Sequence, residues 1–185
     1  MNQSILEKAK QLFWQMLEKE KDDPWGLKLH IPHAEKWVKK ILVWYPEVDE
    51  EILLLSVWLH DIGHYPVGSE DHAITGERIA RKFLIEMEYG EKKREAVLHC
   101  IRSHRNKDIK PATLEAKVFC GVDSLSHFTY APYIVMYHDG RLDEAIAKLE
   151  RDFDDLKPLP QLRWEVEPLY SAWKKLLLEL KRIDL

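Results

Sequence analysis

The sequence predicts an all-α protein built as a single domain, residues 1–185. Three observations carry that prediction. Apolar residues recur at three- and four-residue spacing in segment after segment. No stretch alternates apolar and polar residues over the length of a strand. The breaks between periodic segments are short clusters of Pro, Gly and Asp rather than a long linker. The length of 185 residues suits one domain with a full core. The balance of 28 basic to 32 acidic residues gives a net charge of −4, so bulk charge provides no basis for nucleic-acid binding. The first ten residues lack the apolar core of a signal peptide, and no run of about 18 apolar residues could span a bilayer. Only two cysteines occur, Cys100 and Cys120, both in apolar helical context, as expected for buried thiols in a reducing cytoplasm.

The first helix spans Ser4 to Glu20, with Ile5, Ala9, Leu12, Phe13 and Met16 on one side. Asp22-Asp23-Pro24-Trp25-Gly26 ends it. A second helix opens at His30-Ile31-Pro32-His33, with Pro32 expected in the first turn, where a missing N–H costs nothing, and runs to Tyr45 before Pro46. His33 lies near a face with Trp37, Ile41 and Trp44. His30 shares an overlapping face with Ala34, Val38 and Ile41, so periodicity does not choose between the two. A third helix, Asp49 to Asp61, is apolar on most sides and should be central. Gly63, Pro66 and Gly68 mark a loop.

Asp71 is the expected N-cap of a fourth helix reaching Met87, whose stripe His72, Gly76, Ile79, Ala80 and Phe83 turns His72 inward. The fifth helix, Glu91 to Arg105, has Ala96, Val97, Cys100, Ile101 and His104 inside and His99 toward solvent. Thr113 caps a sixth, ending near His127 and apolar nearly all round, yet carrying Asp123. A carboxylate there is costly unless something pairs with it. After the break at Asp139-Gly140 come a helix from Leu142 to Leu156, stopped by Pro158 and Pro160, and a last one from Trp164 to about Leu180. The stretch Gln161 to Leu185 offers a face for packing or for a homodimer.

The inward ligand-type residues are His33 or His30, His60, Asp61, His72, His104 and Asp123, drawn from five helices. Imidazoles and carboxylates together suit divalent cations. His60 and Asp61 are adjacent, so on a regular helix their side chains diverge by about 100°. Both reach one ion only at the end of the helix or through a distorted last turn, and Gly63 makes such an ending easy.

These residues also form a pattern. His33-Ala34-Glu35-Lys36-Trp37-Val38, His60-Asp61-Ile62-Gly63, His72-Ala73-Ile74-Thr75-Gly76, Cys100-Ile101-Arg102-Ser103-His104 and the segment Ala116 to Leu125 ending on Asp123 follow one another in order. Together, over about residues 30–128, they resemble the HD superfamily of metal-dependent phosphohydrolases, whose signature is H…HD…D. The resemblance favours His33 as the first histidine and implies His33, His60, Asp61 and Asp123 as ligands of a divalent metal. Two neutral and two anionic ligands balance a +2 ion. Water and substrate would complete a six-coordinate shell for Mn, Fe, Co or Ni, with Zn and Mg also open. In a subset of the family two further histidines bind a second ion, with the motif Asp bridging; here they map to His72 and His104.

In triphosphohydrolase-like members the motif reads H-D-x-G-H-x-P and its second histidine is catalytic. His60-Asp61-Ile62-Gly63-His64-Tyr65-Pro66 resembles that form and makes His64 a candidate acid or base, although Ser69 stands where those members carry a further histidine. The implied activity is hydrolysis of a phosphate ester or anhydride, nucleotides included, by metal-activated water held near Asp61. Lys36, Arg102 and Arg105 are the candidate phosphate contacts. A di-iron oxygenase and a non-catalytic, metal-stabilised module that binds a nucleotide or a partner are the alternatives. His30, His99, His127 and His138 are expected at the surface or in packing, with His127, four residues after Asp123, the one to check for a role behind the ligands.

Overall fold

A computed structural model describes residues 4–20, 22–65 and 71–183. Among these residues it contains nine α-helices, one 3-10 turn and no strand. The helices are α1 (Ile5–Glu18), α2 (Leu27–Ile41), α3 (Glu50–Leu59), α4 (His72–Glu86), α5 (Glu91–Ser103), α6 (Leu114–Tyr130), α7 (Pro132–His138), α8 (Leu142–Asp154) and α9 (Pro160–Ile183). The 3-10 turn, Asp61–His64, follows α3 directly. Pro66, Gly68 and Ser69 lie outside the described residues.

Helix α3 is the axis of the bundle. Every residue from Ile52 to Leu59 is buried, which is what its lack of a polar face predicts. It starts where Asp49 accepts hydrogen bonds from the Glu51 and Ile52 N–H groups. It packs against α1, α2, α5 and α6, and Trp58 meets Phe13 of α1 edge to face at 5.4 Å. The predicted caps Asp71 and Thr113 each accept the backbone hydrogen bond expected of them, and Ser4 does the same for α1.

Three boundaries differ from the sequence expectation. Helix α2 begins at Leu27, because the Asp23 carboxylate accepts from the Leu27 and Lys28 N–H groups, both at 2.9 Å, while Gly26 turns the chain at φ 68°. Pro32 therefore lies inside the helix rather than in its first turn. Helix α6 runs one turn past His127 to Tyr130, and α7, which the apolar pattern did not resolve, follows at Pro132. Pro160 opens α9 rather than merely ending α8, as suits a residue with fixed φ and no N–H to lose.

The 3-10 turn lies tightly against the start of α4. A Cβ on Gly63 would sit 2.0 Å from the His72 carbonyl oxygen and 2.5 Å from the Gly76 nitrogen. A Cβ on Gly76 would sit 2.6 Å from the His60 carbonyl oxygen. Two glycines thus let two backbones touch, and this contact carries His72 up to the His60-Asp61 pair.

Candidate metal centre

Four side-chain atoms from three helices and the 3-10 turn converge in the interior. His30 Nε2 lies 3.0 Å from Asp123 Oδ1, 3.5 Å from Asp61 Oδ2 and 3.1 Å from His60 Nε2. His60 Nε2 lies 3.3 Å from Asp61 Oδ2 and 3.4 Å from Asp123 Oδ1. An ion about 2.1 Å from each ligand spaces neighbouring ligand atoms by about 3.0–3.4 Å. The five separations are of that size, and each carboxylate oxygen lies within 3.5 Å of both imidazole nitrogens.

The hydrogen bonds behind these atoms fix which nitrogen is free. His60 Nδ1 lies 2.9 Å from the Val57 carbonyl oxygen, and His104 Nδ1 2.6 Å from that of Ile101. A carbonyl only accepts, so both Nδ1 atoms carry the proton. Ser126 Oγ gives its hydrogen to the Asp123 carbonyl at 2.7 Å, so it must accept from His30 Nδ1, also at 2.7 Å. With Nδ1 so occupied, the rings of His30, His60 and His104 turn Nε2 inward, and once Nε2 is free of a proton each is the ligand form of histidine with its rear N–H anchored. Two lone pairs facing each other at 3.1 Å beside two carboxylates call for positive charge between them.

Burial alone would lower the His60 imidazole, yet the Asp61 and Asp123 carboxylates raise it to about 10, so a metal binding at its Nε2 displaces a proton. Burial would raise the Asp61 and Asp123 carboxyls, but the surrounding imidazoles hold both well below the usual range.

Asp61 has a second oxygen with other neighbours. Asp61 Oδ1 lies 3.6 Å from His72 Nε2, 3.9 Å from His104 Nε2 and 3.7 Å from His64 Nε2, and the Nε2 atoms of His72 and His104 are 3.3 Å apart. Among the described residues three groups have ligand atoms all within 4.8 Å of one another: His30, His60 and Asp61; His30, Asp123 and His127; and Asp61, His72 and His104. Burial lowers His72 and His104 to about 4 each, so both are neutral donors near pH 7. His64 is stacked between Trp25, at 4.6 Å, and His72, at 4.0 Å, and burial lowers its imidazole too.

His33, the first histidine by resemblance, is not in this cluster. Its Nδ1 pairs with Thr129 Oγ1 of α6 at 3.0 Å, about 60° round α2 from His30. His30, expected at the surface or in packing, stands in its place and is 2% exposed. At 100° per residue, His30 lies about 60° from the centre of the buried stripe Leu27, Ile31, Ala34, Val38, Ile41, and His33 about 120°. The expected phosphate contacts divide in the same way. Lys36 is exposed on α2, and Arg102 is ion-paired with Asp108. Arg105, paired with Asp71, does line the cavity of about 280 Å³ over the ligands.

Of the wall opposite, sequence reasoning singled out His127 and missed Asp152, Tyr133 and Lys148. His127 stacks on His30 at 5.1 Å with the rings 11° from parallel, and its Nδ1 lies 3.2 Å from Asp152 Oδ2. Asp152 is buried on α8, accepts from the Tyr133 hydroxyl at 2.8 Å and pairs with Lys148 at 3.2 Å. The signal was present: Asp152 falls on the apolar stripe Ala145, Leu149, Phe153, as Asp123 does on α6.

A family model described as the HD domain matches residues 16–127, more than half of the chain. No curated protein and no solved structure matched. The matched span contains His30, Asp61, His72, His104 and Asp123, which line one cavity, and His60, buried behind them. With that match and this convergence, the chain belongs to the HD-domain superfamily of metal-dependent phosphohydrolases.

Proposed function

We propose that the chain is a metal-dependent phosphohydrolase that cleaves a phosphate ester or anhydride, a nucleotide being the leading candidate. The observation that carries this reading is that His30 Nε2 and His60 Nε2, 3.1 Å apart, each lie 3.0–3.5 Å from both Asp61 Oδ2 and Asp123 Oδ1. A divalent ion bound there would lower the pKa of water and polarise a phosphoryl oxygen. Mn, Fe, Co and Ni suit the mixed donors best. Around it, His30 and His60 donate from rings locked by Ser126 and Val57. Asp61 presents its second oxygen to the cavity, where it can accept a proton from attacking water or hold a second ion with His72 and His104.

His64, neutral through burial and stacked in place, fits the role of base in the resting site rather than that of acid. Arg105 is placed to offset phosphate charge at the cavity mouth. No helix among the described residues is long and apolar enough to cross a membrane, and both cysteines are free and buried; the proposed setting is the cytoplasm. The shared Asp61 also supports one second reading, a di-iron oxygenase.

Metal analysis followed by a hydrolysis screen over nucleotides and general phosphoesters tests the proposal. Phosphate release that a chelator abolishes, and that Asp61→Ala removes in a still-folded protein, is expected. Bound iron with oxygen uptake and no phosphate release would favour the oxygenase. No turnover with any metal would leave a binding module.

A further inference from the structure

We propose that Lys148, on α8, grips the phosphoryl group of the substrate beside the metal ligands, and that the buried residues Asp152 and Tyr133 position it. The proposal rests on the hydrolase reading and completes its site from a part of the chain beyond the family match, which ends at residue 127.

Location is the first argument. Lys148 and Arg105 line the cavity over Asp61 and Asp123 and also two larger neighbouring cavities of about 590 and 700 Å³. The ammonium thus stands where the three meet, on the wall facing the ligands. Donor chemistry is the second. An ammonium has three N–H donors. Lys148 Nζ lies 3.0 Å from His127 Nδ1 and 3.2 Å from Asp152 Oδ1. Among the described residues no other side chain or carbonyl takes the third donor, and the side chain keeps 23% of its surface exposed.

Anchoring is the third. A lysine meant only for solvent needs no buried partner, and burying a carboxylate is costly. Here the carboxylate is 5% exposed and held from behind by the Tyr133 hydroxyl, itself fully buried. The result is a lysine with a fixed head group, which loses little freedom when an anion arrives. Charge is the fourth. A divalent ion is matched by Asp61 and Asp123, and Arg105 by Asp71. A phosphoryl group brings further negative charge, and a compact ammonium beside the ion is a fitting counterpart.

The test uses the full chain loaded with manganese and inorganic phosphate as the probe, with binding followed by calorimetry. Lys148→Met is expected to bind phosphate about ten- to a hundredfold more weakly at unchanged metal content, and Lys148→Arg to recover most of the loss. For any phosphoester turned over, kcat/KM should fall by a similar factor. Lys148→Met also strands Asp152, so the double variant Lys148→Met/Asp152→Asn separates fold from function. It is expected to regain the melting temperature while phosphate affinity stays low. Phosphate affinity unchanged in metal-replete Lys148→Met, or restored in the double variant, would overturn the proposal. A metal-loaded wild type that neither binds phosphate nor hydrolyses any ester would instead bring down the hydrolase reading itself, and that failure shows without any variant.

Discussion

His30 and His33 sit one turn apart on the same helix, and only His30 reaches the ligands. His30→Ala is therefore expected to lose the ion at the His60-Asp61-Asp123 position, seen as a drop in bound metal per chain. His33→Ala should keep its full metal content. The loss of its Thr129 contact should cost only about 0.5–1.5 kcal/mol of stability. Equal metal loss in both variants would contradict the geometry. His60, Asp61, His72, His104 and Asp123 were legible in the sequence, because each is a polar residue on an apolar stripe or at a helix end. The choice between His30 and His33 was not. It depends on where α2 starts, and that start is set by the Asp23 side chain reaching forward to the Leu27 and Lys28 N–H groups, a contact that spacing alone does not reveal.

Among the elements, the 3-10 turn after α3 has the largest effect on the site. It solves the problem of two adjacent ligands by tightening the chain just past His60. The turn holds because Gly63 and Gly76 touch. Gly76→Ala should push the new methyl into the His60 carbonyl and cost roughly 1–3 kcal/mol, a fall in melting temperature of roughly 2–12 °C for a chain of this size.

At the other end of α3, Asp49 caps the helix and pairs with Lys93 at 2.8 Å. Burial would raise its carboxyl, but Lys93 and the Ile52 and Glu51 N–H groups lower it. A depressed carboxyl contributes stability above its unfolded pKa and loses it as pH falls through the folded value. Asp49→Ala should thus cost about 1 kcal/mol near neutral pH, and the gap from wild type should close on acidification below about pH 4. Denaturant titrations at pH 7 and pH 3 check this. The caps Asp71 and Thr113 were readable, since short polar side chains before apolar runs announce them, whereas the sequence expectation makes Ser4 and Asp49 the first residues of their helices. Helix α7 was not, because its Pro132 start follows a left-handed Ala131, at φ 64°, which nothing in the residue types signals.

For the whole molecule, the ligands come from α2, α3, its 3-10 turn, α4, α5 and α6, so an ion bound among them ties most of the bundle together. An ion at a hundredfold excess over its Kd should stabilise the folded chain by about 2.7 kcal/mol, a rise in melting temperature of roughly 5–11 °C. A chelator should reverse it. A thermal melt with Mn, Co or Ni that shows no shift would count against the metal centre. The all-α, single-core design followed from periodicity and from α3 having no polar face. The back wall from α8 did not, because Asp152 and Lys148 acquire meaning only once tertiary packing sets His127 beside them.

Asp61 turns one oxygen to His30 and His60 and the other to His72 and His104. Electron density drawn toward a cation on one side is no longer offered on the other, and the influence is mutual. Filling such a pair is graded: the first equivalent enters a carboxylate that is whole, the second a carboxylate already spoken for. Were both groups to take an ion, loading would therefore run in two steps, and a titration of bound metal per chain against free metal would show two affinities rather than one.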